Sequence, residues 1–176
     1  MKLKIKMMDI KEELLEGALA AQGCEDGMAQ LGEAMDKEEM LQCFIDRVDF
    51  CLAKDFPTKE FLKVHFGGLL HKKRIYADER VEIRGGNAIL LGSCEAVCDL
   101  EGYAVSRLYA KHGTRMEIRA RDNAFVMVDV LDDAEVEVHC KDEAKVVVNL
   151  YARAKATREG NGYIKIVHKH KETYDL

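Results

Sequence analysis

The 176-residue chain has no tryptophan and one proline, Pro57. Scarce proline argues against a linker-rich or polyproline organisation. No uncharged apolar run approaches the length needed to span a bilayer. Neither sign of charge dominates: the formal net charge is −5, so nothing draws the whole chain to nucleic acid or to an anionic membrane. The usual catalytic signatures are also missing. There is no glycine-rich phosphate loop ahead of a helix, no nucleophile elbow and no His-Glu-x-x-His pair. What remains is an ordinary globular composition, 48% hydrophobic and 34% charged.

Lys2, Lys4 and Lys6 resemble the start of a signal peptide, but Asp9, Lys11, Glu12, Glu13 and Glu16 break up any apolar stretch behind them. Leu19-Ala20-Ala21-Gln22-Gly23-Cys24 loosely resembles a lipoprotein cleavage site, against which Gln22 and the upstream charges argue. Six cysteines fall at 24, 43, 51, 94, 98 and 140. All read as helix or strand interior, where a thiol acts as a small hydrophobe, so the expected compartment is the reducing cytoplasm.

The chain aligns on itself. Arg121–Val130, Leu131–Cys140 and Lys141–Leu150 share an Asp column (Asp122, Asp132, Asp142) and an Ala column (Ala124, Ala134, Ala144). Two Val columns follow, one through Val126, Val136 and Val146 and one through Val128, Val138 and Val148. The ten-residue period extends upstream through Thr114, Met116 and Ile118 to Cys94, Ala96 and Cys98. Downstream it runs through Ala154 and Ala156, resuming at Ile164 and Ile166 after Gly160-Asn161-Gly162. Within each unit the apolar positions alternate, which describes strands with one buried face. The aspartates between strands are turn formers.

Outward positions repeat every twenty residues. Glu95, Arg115, Glu135 and Lys155 alternate in charge, while Val105, Phe125, Met127 and Val147 are apolar; Lys145 and Lys165, Val147 and Val167 continue that second series. Twenty residues per coil implies two strands per coil, and hence a mostly β chain whose repeat winds into a β-solenoid. Glu117 would stack on Glu137. An antiparallel β-sandwich is the alternative with the same periodicity.

Residues 1–70 lack the alternation. Asp9 with Glu12 and Asp36 with Glu39 resemble helix N-cap signals. Gly23 and Gly27 are expected to break the first helix, and Met40, Phe44, Val48 and Cys51 fall at helical spacing. The expected organisation is a helical cap or packing segment over 1–70, a β-repeat domain over 71–170 with regular repeats from 91, and a tail at 171–176, folding together. Solenoid ends expose strand edges, so caps are expected.

The spacing of Cys94, Cys98, His139 and Cys140 favours core packing over a metal site. For Asp122, Asp129, Asp132, Asp133 and Asp142, turn capping is favoured over calcium. Tyr103, Tyr109, Tyr151 and Tyr163 are too scattered across columns to form one aromatic platform. No cofactor is expected. Two surfaces stand out: an apolar strip of Val105, Phe125, Met127 and Val147, and a basic edge of Lys165, His168, Lys169, His170 and Lys171. The plainest expectation for that edge is a frayed, solvated last coil.

The alternating repeat resembles β-solenoid proteins in general, among them left-handed acyltransferases, polymerising bactofilins and carbohydrate-active β-helices. The six-residue acyltransferase repeat is absent, and bactofilins lack so large a helical segment. The reading is a non-enzymatic scaffold with a protein partner or self-association, and no membrane or nucleic acid. A carbohydrate-binding or carbohydrate-active β-helix is the alternative, and a bactofilin-like self-assembling protein is the third reading.

Overall fold

The computed structural model describes residues 2–176, with side chains from Asp9 onward. The Lys2, Lys4 and Lys6 side chains therefore lie outside the described residues. Two compact units are present, Met1–Lys73 with Tyr174–Leu176, and Arg74–Thr173.

The first unit is helical: α1 (Lys2–Ala20), α2 (Glu25–Glu33), α3 (Lys37–Asp46), α4 (Val48–Lys54), α5 (Lys59–Phe66) and α6 (Leu69–Lys72). Asp36 caps α3 as its spacing suggests. Its Oδ1 accepts from Glu39 N–H at 2.9 Å, and Glu39 Oε2 accepts from Met35 N–H at 2.6 Å. Thr58 Oγ1 caps α5 through Phe61 N–H at 3.2 Å. Two expectations fail. Asp9 lies inside α1 rather than at its start, and Gly27 lies inside α2 rather than between helices. Ile10, Leu14, Leu31, Met40, Leu41, Phe44, Leu52 and Leu62 are buried in this unit.

The second unit is a parallel β-solenoid. Its strands are β1 (Ile75–Ala77), β2 (Arg80–Arg84), β3 (Ala88–Leu91), β4 (Glu95–Leu100), β5 (Val105–Ala110) and β6 (Arg115–Ala120). They continue with β7 (Phe125–Val130), β8 (Glu135–Cys140), β9 (Lys145–Leu150), β10 (Lys155–Glu159) and β11 (Tyr163–His168). Odd strands form one six-stranded sheet and even strands a five-stranded one, with every pairing parallel. This excludes the antiparallel sandwich. The coiling starts at β1 with a first coil shorter than the twenty-residue repeats that follow, Ile75 pairing with Ile89 and Arg80 with Glu95.

Side chains stack on their own kind along the columns. Val126 pairs with Val146, Val128 with Val148, and Ile118 with Val138, and all six are fully buried. Such stacking buries apolar surface and matches shape at once. The turns between strands share a left-handed residue: Gly92, Gly102, His112, Asp122, Asp132, Asp142 and Ala152 all have φ between 51° and 75°. Asp enters that region more readily than most residues. Its carboxylate has a second task, because it accepts from the turn of the preceding coil. Gly102 N–H donates to Asp122 Oδ2 at 2.8 Å, and Asp122 N–H to Asp142 Oδ2 at 3.1 Å. On the other edge, Gly92 N–H donates to His112 Nδ1 at 2.9 Å and His112 N–H to Asp132 Oδ2 at 3.3 Å.

The last coil departs from the expected register. Tyr163, not Lys165, pairs with Lys145, and Lys165, not Val167, pairs with Val147. The chain turns tightly over Gly160–Gly162, where it passes directly over Cys140. A Cβ on Gly160 would lie 2.0 Å from Cys140 O, and one on Gly162 would lie 2.6 Å from its Sγ. Only glycine fits, and the coil closes two residues early.

Candidate functional site

The two outer sheet faces differ in chemistry. On the five-stranded sheet Arg80, Glu95, Arg115, Glu135 and Lys155 form one stacked column. Its ends are ion-paired, Arg80 Nε to Glu95 at 2.6 Å and Lys155 Nζ to Glu135 at 3.3 Å. This is the opposite-charge ladder expected from the sequence, one rung longer. Glu117 does stack on Glu137, but both have cationic or imidazole neighbours. Arg119 Nε donates to Glu117 Oε1 at 2.7 Å and holds that carboxyl below its usual range. His139 lies 3.0 Å from Glu137 and 3.3 Å from Glu159. These carboxylates are engaged with one another's neighbours, and the outer columns of this sheet carry no Phe, Tyr or Trp.

The six-stranded sheet carries the apolar strip. Val105 stacks on Phe125, and Arg107 on Met127, which stacks on Val147. Val105 is 72% exposed and Phe125 38% exposed; Met127 and Val147 are half-buried. Tyr103, in the turn before β5, and Tyr163, at the start of β11, are also exposed, whereas Tyr109 and Tyr151 are buried. Further along the same strands Asp129 is buried and accepts from Asn149 Nδ2 at 2.7 Å, with Arg107 Nη2 at 3.5 Å.

The expected basic edge falls at the C-terminal end of the solenoid. Lys165 is exposed on the outer face of β11, and His168 takes the inward column opposite Leu150. The rings of His168 and His170 stack at 6.1 Å between centroids. The segment is not frayed, contrary to expectation. Lys169 N–H donates to Leu150 O at 2.9 Å, and Lys171 O accepts from Ala152 N–H at 2.8 Å. Arg158 belongs to this end and was not singled out from the sequence. It stands in the inward column of β10, following Ile83, Cys98, Ile118 and Val138. The only available signal was its place twenty residues after Val138. Arg158, His168, Leu150, Ala154, Ala156 and Ile166 line an open cleft of about 460 Å³.

The cysteines are free, and five of the six are buried. Cys24 is the exception. It is exposed at the N-cap of α2, where Sγ accepts from Gly27 N–H at 3.4 Å. Cys94, Cys98 and Cys140 lie in the solenoid core. Among the described residues no group of His, Cys, Asp or Glu is arranged to hold a metal ion, and no helix is long and apolar enough to cross a membrane. Asp122, Asp132 and Asp142 cap turns, and Asp132 also meets Lys111 Nζ at 2.6 Å. Compared with family profiles, curated proteins and solved structures, the chain matches none.

Proposed function

We propose that this chain is a non-enzymatic scaffold that binds another protein through the outer strip of its six-stranded sheet, at Val105, Phe125, Met127 and Val147. The observation that carries the reading is the exposure of Val105 and Phe125 on neighbouring strands. Contiguous apolar surface on a soluble fold commonly marks a contact site. The carbohydrate alternative needs carboxylates and aromatics on one sheet. Here Glu82, Glu117 and Glu137 stand on the five-stranded sheet, while Phe125 and Tyr163 stand on the other.

The test is a double variant, Val105→Lys with Phe125→Glu, compared with wild type by cross-linking in the native host. A protein captured by wild type and lost from an equally stable variant supports the reading. An unchanged set of captured proteins overturns it. If wild type sediments as a dimer and the variant as a monomer, the strip joins copies of this chain and the self-assembly reading replaces the scaffold.

A further inference from the structure

The C-terminal end of the solenoid has features that the earlier coils do not. Neither β10 nor β11 has a following strand, so one edge of each has no strand beside it. The apolar layer of this coil, Ala154, Ala156, Ile164 and Ile166, is only partly buried, although it lies against the fully buried core. The edge is preformed, because the coil is held to residue 171 by the Lys169 and Lys171 backbone bonds.

Two inward columns change character here. The column of Ile83, Cys98, Ile118 and Val138 ends in Arg158, and that of Leu90, Ala110, Val130 and Leu150 ends in His168. Arg158 Nη1 lies 3.5 Å from Ile164 O, across the open layer. Inward-pointing charges on an edge discourage strand addition by a second copy. Two such ends facing each other would set Arg158 and Lys155 against their own counterparts. Yet the same residues suit a strand of opposite charge. Residues 151–176 hold six basic residues (Arg153, Lys155, Arg158, Lys165, Lys169 and Lys171) against Glu159, Glu172 and Asp175, in a chain whose totals are 27 basic and 32 acidic. The alternating column Arg80, Glu95, Arg115, Glu135, Lys155 also stops on a cation, so its next member by alternation is an acid.

We propose that this end is a strand-addition site for an extended acidic peptide of a partner protein. The peptide pairs with the open edge of β10: its inward apolar side chains cover Ala156 and the exposed layer of Ile164 and Ile166, and its carboxylates meet Lys155 and the exposed Arg158. Backbone pairing supplies affinity and the side-chain alternation supplies selectivity, as in other edge-binding modes. Nucleic acid shares the charge but offers no strand edge to pair with. The surface is distinct from the apolar strip, so either assignment stands or falls without the other.

The probe is a fluorescent peptide of alternating Val and Glu, titrated with the full chain and followed by anisotropy. Three comparison probes are used: the same peptide with Gln for Glu, one with Pro for Val, and a single-stranded oligonucleotide. The acidic peptide is expected to bind at least about tenfold more tightly than the Gln and Pro versions, and to weaken as salt rises. Lys155→Glu with Arg158→Glu should abolish binding, whereas Lys54→Glu with Lys63→Glu, the same charge change at two exposed positions of the helical unit, should not. Lys155→Gln alone, which leaves the inward column intact, should weaken binding and keeps the test open if the double variant fails to fold. The proposal is overturned if the Gln or Pro peptide binds equally well, if the oligonucleotide binds as tightly, or if a folded Lys155 and Arg158 variant keeps its affinity. It is also overturned if no peptide binds at about 1 mM, or if wild type self-associates through this end.

Discussion

Ala152→Asn is expected to make the protein more stable. Ala152 occupies the left-handed turn position with φ 51°, a conformation that costs an L-residue roughly 1–2 kcal/mol and that Asn tolerates better than Ala. In the same column, side chains accept from the turn twenty residues earlier: His112 from Gly92 N–H at 2.9 Å, and Asp132 from His112 N–H at 3.3 Å. Ala152 has no acceptor to offer Asp132 N–H, and Asn would supply one. A net hydrogen bond of about 0.5–1.5 kcal/mol added to partial relief of the backbone gives about 1–2 kcal/mol in all. For a chain of this size that raises Tm by roughly 3–6 °C. Thermal melts followed by far-UV circular dichroism give the value directly. Ala152→Gly should gain less, because it relieves φ but adds no acceptor and loses more chain entropy on folding. Ala152→Asp should also fall short of Asn, since it sets a second carboxylate beside Asp132. An Asn variant that melts at or below wild type would refute the column argument. Equal gains for Gly and Asn would refute its hydrogen-bond half.

Val136→Asp should leave no cooperative thermal transition. It removes about 1.5–3 kcal/mol of apolar burial and puts a carboxylate between Met116 and Ala156 in the core column, at a further cost of several kcal/mol; a wild-type-like melt would show the column is not inward. Alkylation of the native protein should modify Cys24 alone, and all six thiols should react after denaturation; mass spectrometry counts them, and native labelling of Cys94, Cys98 or Cys140 would contradict their burial. Stability should fall at alkaline pH. Burial, helped by Asp49 and Asp99 respectively, pushes the Cys51 and Cys98 thiols from 9.0 up to about 12. The folded state therefore keeps protons that the unfolded chain sheds, so stability is whole below about pH 9 and declines towards pH 12, by roughly 1.4 kcal/mol per pH unit for each thiol. Urea midpoints at about pH 8 and pH 10.5 measure the slope, and Cys98→Ala should lessen it.

The solenoid was legible because stacked coils reward identical residues in a column. Val126, Val136 and Val146 disclose their shared environment without any coordinates. The two-residue shortening of the last coil was not legible, for a physical reason. Strand alternation has period two, so Ile164 and Ile166 face inward whether the coil has eighteen or twenty residues, and an even shift leaves no trace in the pattern. The same ambiguity hid the column that His168 ends, which is that of Leu150 rather than Val148. In the helical unit, Asp9 and Glu12 have the spacing of a cap but lie exposed within α1, because acidic residues also suit the solvated face of a helix. Cys24 was misplaced because Cys is not among the usual N-cap residues.

The turn ladder has a consequence for how the solenoid is made. Each acceptor lies in the coil that follows its donor, so Gly102 N–H has no carboxylate until Asp122 is in place, and Asp122 N–H waits for Asp142. A chain emerging from the ribosome in order therefore leaves one turn incomplete at its growing front, and about twenty further residues must emerge before that turn closes. Loss of residues from the C-terminus would undo the structure in the reverse sense, each cut removing the groups that complete the coil before it.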